Sequence, residues 1–158
     1  MAMNEPMDSS NAIIRPPIAW ILGFVVGLAF DRLYPLQFVP LSIPAGWVGG
    51  LVFAMAFALA MWGIVAITKA GSRVETTVPT TAIVETGPYR FTRNPIYMGF
   101  FLGLIGLAIG FDSLWVLAML VPFYVVIRYG VVAREEAYLE RKFGDIYRGY
   151  RSRVRRWL

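Results

Sequence analysis

The stretch AGWVGGLVFAMAFALAMWGIVAI, Ala45 to Ile67, contains neither a charged residue nor a proline. A helix crossing the hydrocarbon core of a bilayer needs about 20 consecutive apolar residues, and this run exceeds that length. In lipid a lone apolar segment has to satisfy its own backbone N–H and C=O groups, which a helix does. Three more apolar segments flank it. Pro17 to Tyr34 follows the Pro16-Pro17 pair, which can start a helix but not continue one. Ile96 to Phe111 and Leu114 to Ala133 lie on the carboxyl-terminal side, separated by Asp112-Ser113, a natural turn and helix cap after Gly110. These segments predict an all-α polytopic membrane protein with four transmembrane helices, the third and fourth forming a helical hairpin. At 1.5 Å per residue the third reaches only about 24 Å, short of a hydrocarbon thickness of about 30 Å.

Composition agrees. Hydrophobic residues make up 58% of the 158 positions and charged residues 16%, where about 25% charged is usual for soluble domains; mean hydropathy is +0.59. The chain reads as one membrane-embedded domain, residues 1–158, with residues 1–11 as a flexible tail. That tail holds Glu5 and Asp8 and no basic residue, the wrong charge for the start of a signal peptide. Cys and His are both absent. Disulfides, thiolate or imidazole metal sites and histidine bases are therefore excluded, and no metal is expected.

The formal charge of +5 is unevenly spread. Arg134, Arg141, Lys142, Arg148, Arg151, Arg153, Arg155 and Arg156 crowd the carboxyl-terminal stretch beside a membrane exit, where anionic head groups attract each basic residue by about 1 kcal/mol. That placement argues for a membrane surface and against nucleic acid. With four spans, the long 68–95 connection and the carboxyl terminus share one side with nearly all Lys and Arg, whereas the opposite loops hold Arg32 alone. The positive-inside rule puts the basic side in the cytoplasm, as expected for an integral protein of the cytoplasmic membrane. From Arg134 onward, Leu139, Phe143, Ile146, Tyr147, Tyr150, Val154 and Trp157 recur at helical spacing. They predict an amphipathic helical segment, broken near Gly144.

Two polar clusters meet the apolar segments at that cytoplasmic edge. Thr86 to Gly99 reads Thr-Gly-Pro-Tyr-Arg-Phe-Thr-Arg-Asn-Pro-Ile-Tyr-Met-Gly and opens the third span; Arg134-Glu135-Glu136 closes the fourth. Glu135 and Glu136 have no basic residue three or four positions away. Either an ion pair with Arg90 or Arg93 from the loop ties loop to helix, or a carboxylate is kept for a ligand. Asn94-Pro95 suits a helix start, and a helix amino terminus flanked by arginines is equally an anion site. Tyr89 and Tyr97 fit an interfacial aromatic belt or packing on a planar ring. Arg128, six residues before the end of its span, either snorkels to the interface or holds an anionic substrate group. Tyr147 and Tyr150 lie on a membrane-surface helix or on a lid. The glycine pairs 23/27, 99/103 and 106/110 allow close helix packing or leave a groove for a lipid chain.

Four ordered elements resemble a known family. Thr86-Gly87-Pro88-Tyr89-Arg90, Arg93-Asn94-Pro95-Ile96-Tyr97-Met98-Gly99, Arg134-Glu135-Glu136 and Phe143-Gly144-Asp145-Ile146-Tyr147-Arg148-Gly149-Tyr150 with Val154 are similar to motifs of integral-membrane methyltransferases related to isoprenylcysteine carboxyl methyltransferase and phospholipid N-methyltransferases. The resemblance covers about half the chain, with Asn94 where isoprenylcysteine enzymes usually carry His. It implies S-adenosylmethionine as methyl donor and a lipophilic acceptor arriving from the bilayer: a prenylated or other lipid-linked carboxylate, thiol or amine. The expected donor-binding residues are Gly87, Tyr89, Arg93, Asn94, Tyr97, Glu135 and Glu136. Arg90 and Glu136 are the expected catalytic residues, and Arg128 the substrate-binding one. The rival readings are an NADPH-dependent membrane reductase of unsaturated lipids, which resembles this family over a similar region, and a non-catalytic lipid-binding module.

Overall fold

The computed structural model describes residues 12–72 and 80–158, all helix and connection with no strand among them. The tail expected over 1–11 and residues 73–79 of the long connection lie outside the described residues. Helix α1 is Pro16–Leu33 and α2 is Ala45–Lys69. After a 3-10 turn at Gly87–Arg90 comes α3, Pro95–Gly110. Helix α4 runs over 30 residues, Leu114–Phe143, and α5 is Asp145–Arg153. Among the described residues α1, α2 and α4 are long and apolar enough to cross a membrane, and α3 is apolar but has 16 residues. The described residues are therefore all-helical, with three candidate membrane-spanning helices, as an integral membrane protein requires.

A broad apolar surface shows what solvent this fold expects. Ile21, Leu22, Val25 and Phe30 on α1 and Leu51, Met55, Phe57 and Trp62 on α2 are exposed. In water such a surface would drive association; in lipid tails it costs nothing. Burial is concentrated where α1, α3 and α4 meet, with Leu104, Ala108, Val116, Ile127, Val131 and Val132 fully enclosed.

Helices α2 and α3 form the most intimate pair, and small residues are the reason. A Cβ placed on Gly106 would lie 2.7 Å from the backbone nitrogen of Phe53, one on Gly99 would lie 2.9 Å from the carbonyl oxygen of Ala56, and one on Gly49 would collide with the backbone of Gly110. Without a hydrophobic drive between helices in lipid, such backbone approach maximises dispersion and carries association. The glycines thus serve close packing here.

Helix α4 departs from its expected end. No boundary falls at Ala133. The helix widens into a π turn over Val126–Val132 and runs on through Arg134 to Phe143. Pro122 lacks an N–H and its ring presses on the preceding turn, so the helix also steps at Met119, the junction between Leu114–Ala118 and Leu120–Val125. Gly144, at φ +52°, then separates α4 from α5 where a break is expected.

At the opposite end, Asp112 adopts φ +50°, which aspartate tolerates better than most residues. Its Oδ1 accepts hydrogen bonds from the backbone N–H groups of Phe38 (2.9 Å) and Val39 (2.7 Å). Ser113 caps α4 by accepting from the Val116 N–H at 3.3 Å. The predicted turn and cap are present, and they also pin the proline-rich 35–44 loop.

Candidate active site

The amino-terminal ends of α1 and α3 and the polar end of α4 converge with α5 and the described part of the long connection around one cavity of about 620 Å³. Its apolar lining comes from Ile18 of α1, Ile64 and Ile67 of α2, Ile83, Val84, Ile96 and Phe100. Its polar lining comes from Tyr89, Arg93, Asn94, Tyr97, Glu135, Glu136, Tyr147 and Tyr150.

The polar lining is assembled by tertiary contacts. Asn94 stands at the first position before α3, yet its side chain makes no cap bond. Its Nδ2 donates instead to the carbonyl oxygen of Arg156 at 2.9 Å. Thr92 Oγ1 donates to that same oxygen at 3.1 Å, and the Arg93 N–H donates to the Arg155 carbonyl at 3.0 Å. The carboxyl-terminal strand of chain is thereby laced to the start of α3. Trp157 anchors it in the bundle, edge-on to Phe101 at 5.7 Å.

The adjacent acids have different partners. Glu136 takes two hydrogen bonds from Arg156, Nε at 2.8 Å and Nη2 at 2.7 Å, and an ion pair from Arg93 Nη2 at 3.2 Å. Exposure of the side chains is 12% for Glu136 and 8% for Arg93. Arg93 Nη1 also donates to the Tyr147 hydroxyl at 3.2 Å. Glu136 thus resolves the ion-pair alternative with Arg93 and adds Arg156. Among the described residues Glu135 meets no cation; its Oε1 accepts from the Tyr97 hydroxyl at 2.7 Å. A phenol supplies a hydrogen bond but no charge, so the Glu135 carboxyl lines the cavity without a cation to offset it.

Neutral phenols line the rest. Burial, with Tyr150 and Glu135 nearby, pushes the Tyr89 hydroxyl well above its ordinary range. Burial likewise raises Tyr147 and Tyr150. These groups stay protonated at neutral pH and serve as donors. The Tyr150 hydroxyl spends its proton on the Tyr89 carbonyl at 2.9 Å. Donating hydrogen bonds to the Glu136 carboxylate raises Arg156 further, keeping it a cation.

Not every expected residue reaches the cavity. Gly87, at φ +59°, lies outside its lining; a Cβ there would sit 3.1 Å from Trp62 Nε1, so it shapes the turn that presents Tyr89. Arg90 is exposed and Arg128 lies over the Tyr129 ring at 5.1 Å, neither of them lining the cavity. Arg15 and Arg156, the latter sharing Glu136 with Arg93, escaped the sequence reading. Arg156 sat in a run of basic residues assigned to lipid head groups, and its acid lies 20 positions away.

Residues 44–146 match the family of phospholipid methyltransferases. The chain belongs to that family. Its matched region takes in α2, α3 and α4. An uncharacterized protein of Haemophilus influenzae is 61% identical over 36 residues, 23% of this chain and 57% of that protein. The nickel-cobalt-cadmium resistance protein NccN of Alcaligenes xylosoxydans is 32% identical over 65 residues, 41% of this chain and 30% of that protein. The chain therefore matches less than two thirds of the length of either relative. Among the described residues no group of three or more acidic, histidine or cysteine side chains is placed to hold a metal ion.

Proposed function

We propose that this phospholipid methyltransferase family member transfers a methyl group from S-adenosylmethionine to a lipophilic acceptor at the cytoplasmic face of the membrane. The whole chain acts as one membrane-embedded domain, with α3 as a short fourth span beside α1, α2 and α4. The observation that carries this reading is the unequal pair of acids: Glu136 is neutralised by two arginines, whereas Glu135 has only a phenol for a partner and lines a cavity of about 620 Å³ that is otherwise rich in apolar side chains.

S-adenosylmethionine supplies, when bound, a methyl group already activated on a cationic sulfonium. The chain has groups that fit such a molecule. Glu135 offers negative charge to its cationic part. Arg93 Nε is buried without a hydrogen-bond partner, and an unsatisfied buried donor calls for an acceptor, which a carboxylate provides. Tyr89 and Tyr97 present neutral phenols and Asn94 a second polar edge. Glu136 and Arg156 act by holding Arg93. The apolar lining excludes water and takes the hydrocarbon part of the acceptor, so that alignment in a dry site does most of the work. Glu136, engaged by two cations, is poorly placed to act as a base, and the roles first expected for Arg90 and Arg128 would need contacts outside this cavity.

Purified protein incubated with methyl-labelled S-adenosylmethionine and a membrane lipid extract is the test. Label recovered in a lipid, lost in Glu135→Gln, is the expected result. Saturable NADPH binding without label transfer would replace this reading with that of a reductase, and neither activity would leave a lipid-binding module.

A further inference from the structure

The cavity wall contains a second cation besides Arg93. Arg15 lies at the start of α1, is exposed, and lines the cavity with Pro16, Pro17 and Ile18. Arg93 gives its two terminal nitrogens to Glu136 and Tyr147 and keeps only its buried Nε, the donor already assigned to S-adenosylmethionine. The Arg15 guanidinium, by contrast, has no hydrogen-bond or ion-pair partner among the described residues. The helix end itself supplies no free donors, because Pro16 and Pro17 lack N–H groups and the next two, Ile18 and Ala19, donate to the Arg15 carbonyl. Whatever anion is held there is held by the side chain.

The surroundings of Arg15 indicate what kind of anion. Helix α1 packs on α4, and α2 on α3, while α1 and α2 share little backbone contact and meet through the Trp20–Phe53 ring pair. Beyond that pair, Ile18 on α1 and Ile64 and Ile67 on α2 line the cavity from its two sides. Ile18 is exposed and the other two are half-buried, so the apolar lining continues onto the lipid-facing surface. A cation at the mouth of an apolar opening matches an amphiphile with a single anionic group at its head. A guanidinium binds carboxylate or phosphate through paired donors.

We infer that Arg15 anchors the head group of an anionic lipid acceptor, a carboxylate- or phosphate-bearing chain that lies between α1 and α2. This rests on the reading of the cavity as a lipid methyltransferase site and narrows its acceptor class. Arg15 sets specificity and takes no part in holding the methyl donor.

The test is binding of dodecyl phosphate to the purified full-length protein in a neutral detergent, with inorganic phosphate and dodecanol as separate arms. Wild-type protein is expected to bind dodecyl phosphate saturably, Arg15→Gln to weaken it about tenfold, and Arg15→Lys to recover part of the loss. Inorganic phosphate should fail to compete, dodecanol should be insensitive to Arg15→Gln, and labelled S-adenosylmethionine should bind the variant as it binds wild type. Equal dodecyl phosphate affinity in wild type and Arg15→Gln overturns the inference. So does competition by inorganic phosphate at matching concentration, which would mark a free-anion site, or loss of S-adenosylmethionine binding in the variant, which would assign Arg15 to the donor. Arg15-dependent binding of dodecyl phosphate in a wild-type protein that binds no S-adenosylmethionine would support the anchor while removing the methyltransferase reading.

Discussion

The two ends of this bundle are held by opposite means. Along α2 and α3, Gly49, Gly99 and Gly106 bring backbone against backbone with no side chain between. At the cavity end, Glu136, Arg93, Arg156 and Asn94 are joined by charge and hydrogen bonds between segments far apart in the chain. The seam gains from having nothing there and works for any pair of helices with small residues in register. The polar junction is specific: each group has a named partner, and removing one leaves another stranded. Lipid explains the division, since dispersion is what two apolar helices can gain from each other, while buried charges persist only when paired.

Breaking the seam should have the largest effect. In Gly106→Leu the added carbons meet the Phe53 backbone, which cannot swing aside as a side chain can, and overpacking of about 3 kcal/mol or more is expected. The protein should fail to accumulate in membranes or lose its cooperative thermal transition. Glu136→Gln attacks the junction: two arginines, Arg93 at 8% and Arg156 at 26% side-chain exposure, lose their shared counter-charge. Destabilisation of about 2 to 3 kcal/mol, read as a lowered Tm, is expected, at or below the usual range for a broken buried pair because Arg156 reaches solvent. An unchanged Tm would mean the junction is decorative.

Glu135→Gln sharpens the contrast between the adjacent acids. Gln keeps an acceptor for Tyr97 and removes an enclosed carboxyl that no cation offsets, so Tm should hold or rise slightly. Affinity for labelled S-adenosylmethionine should fall about tenfold or more, equivalent to at least about 1.4 kcal/mol. If Glu135→Gln lowers Tm as much as Glu136→Gln, the two acids are both structural. Smallest is Arg90→Ala, exposed and away from the cavity: stability should move by less than about 0.5 kcal/mol, and methyl transfer should stay near the wild-type rate.

The helices were legible because their signal is local. Ala45 to Ile67 can only be a span, and Asp112-Ser113 and Gly144 mark turns through their own backbone preferences. The site was legible in part. Glu135 and Glu136 stood out for want of a neighbouring cation, but nothing at helical spacing says which one is neutralised. That choice lies with Arg156, which reaches Glu136 only after the chain turns at Gly144 and returns alongside α3. The π turn at Val126–Val132 adds a second obstacle: it changes the angular phase of α4, so the face on which Glu135 emerges cannot be extrapolated at 3.6 residues per turn from Leu114 onward.

By itself the amino-acid sequence determined that this chain lives in a membrane, where its helices begin, and which polar groups stand at its basic edge, because apolar length, proline placement and charge counts act over a few residues. Only the tertiary structure decided that Arg90 and Arg128 stay outside the cavity, that Arg156 silences Glu136, and that Arg15 and Glu135 line it with no ion-pair partner among the described residues. Pairing of charges is a through-space property, and the fold alone sets which of them are close.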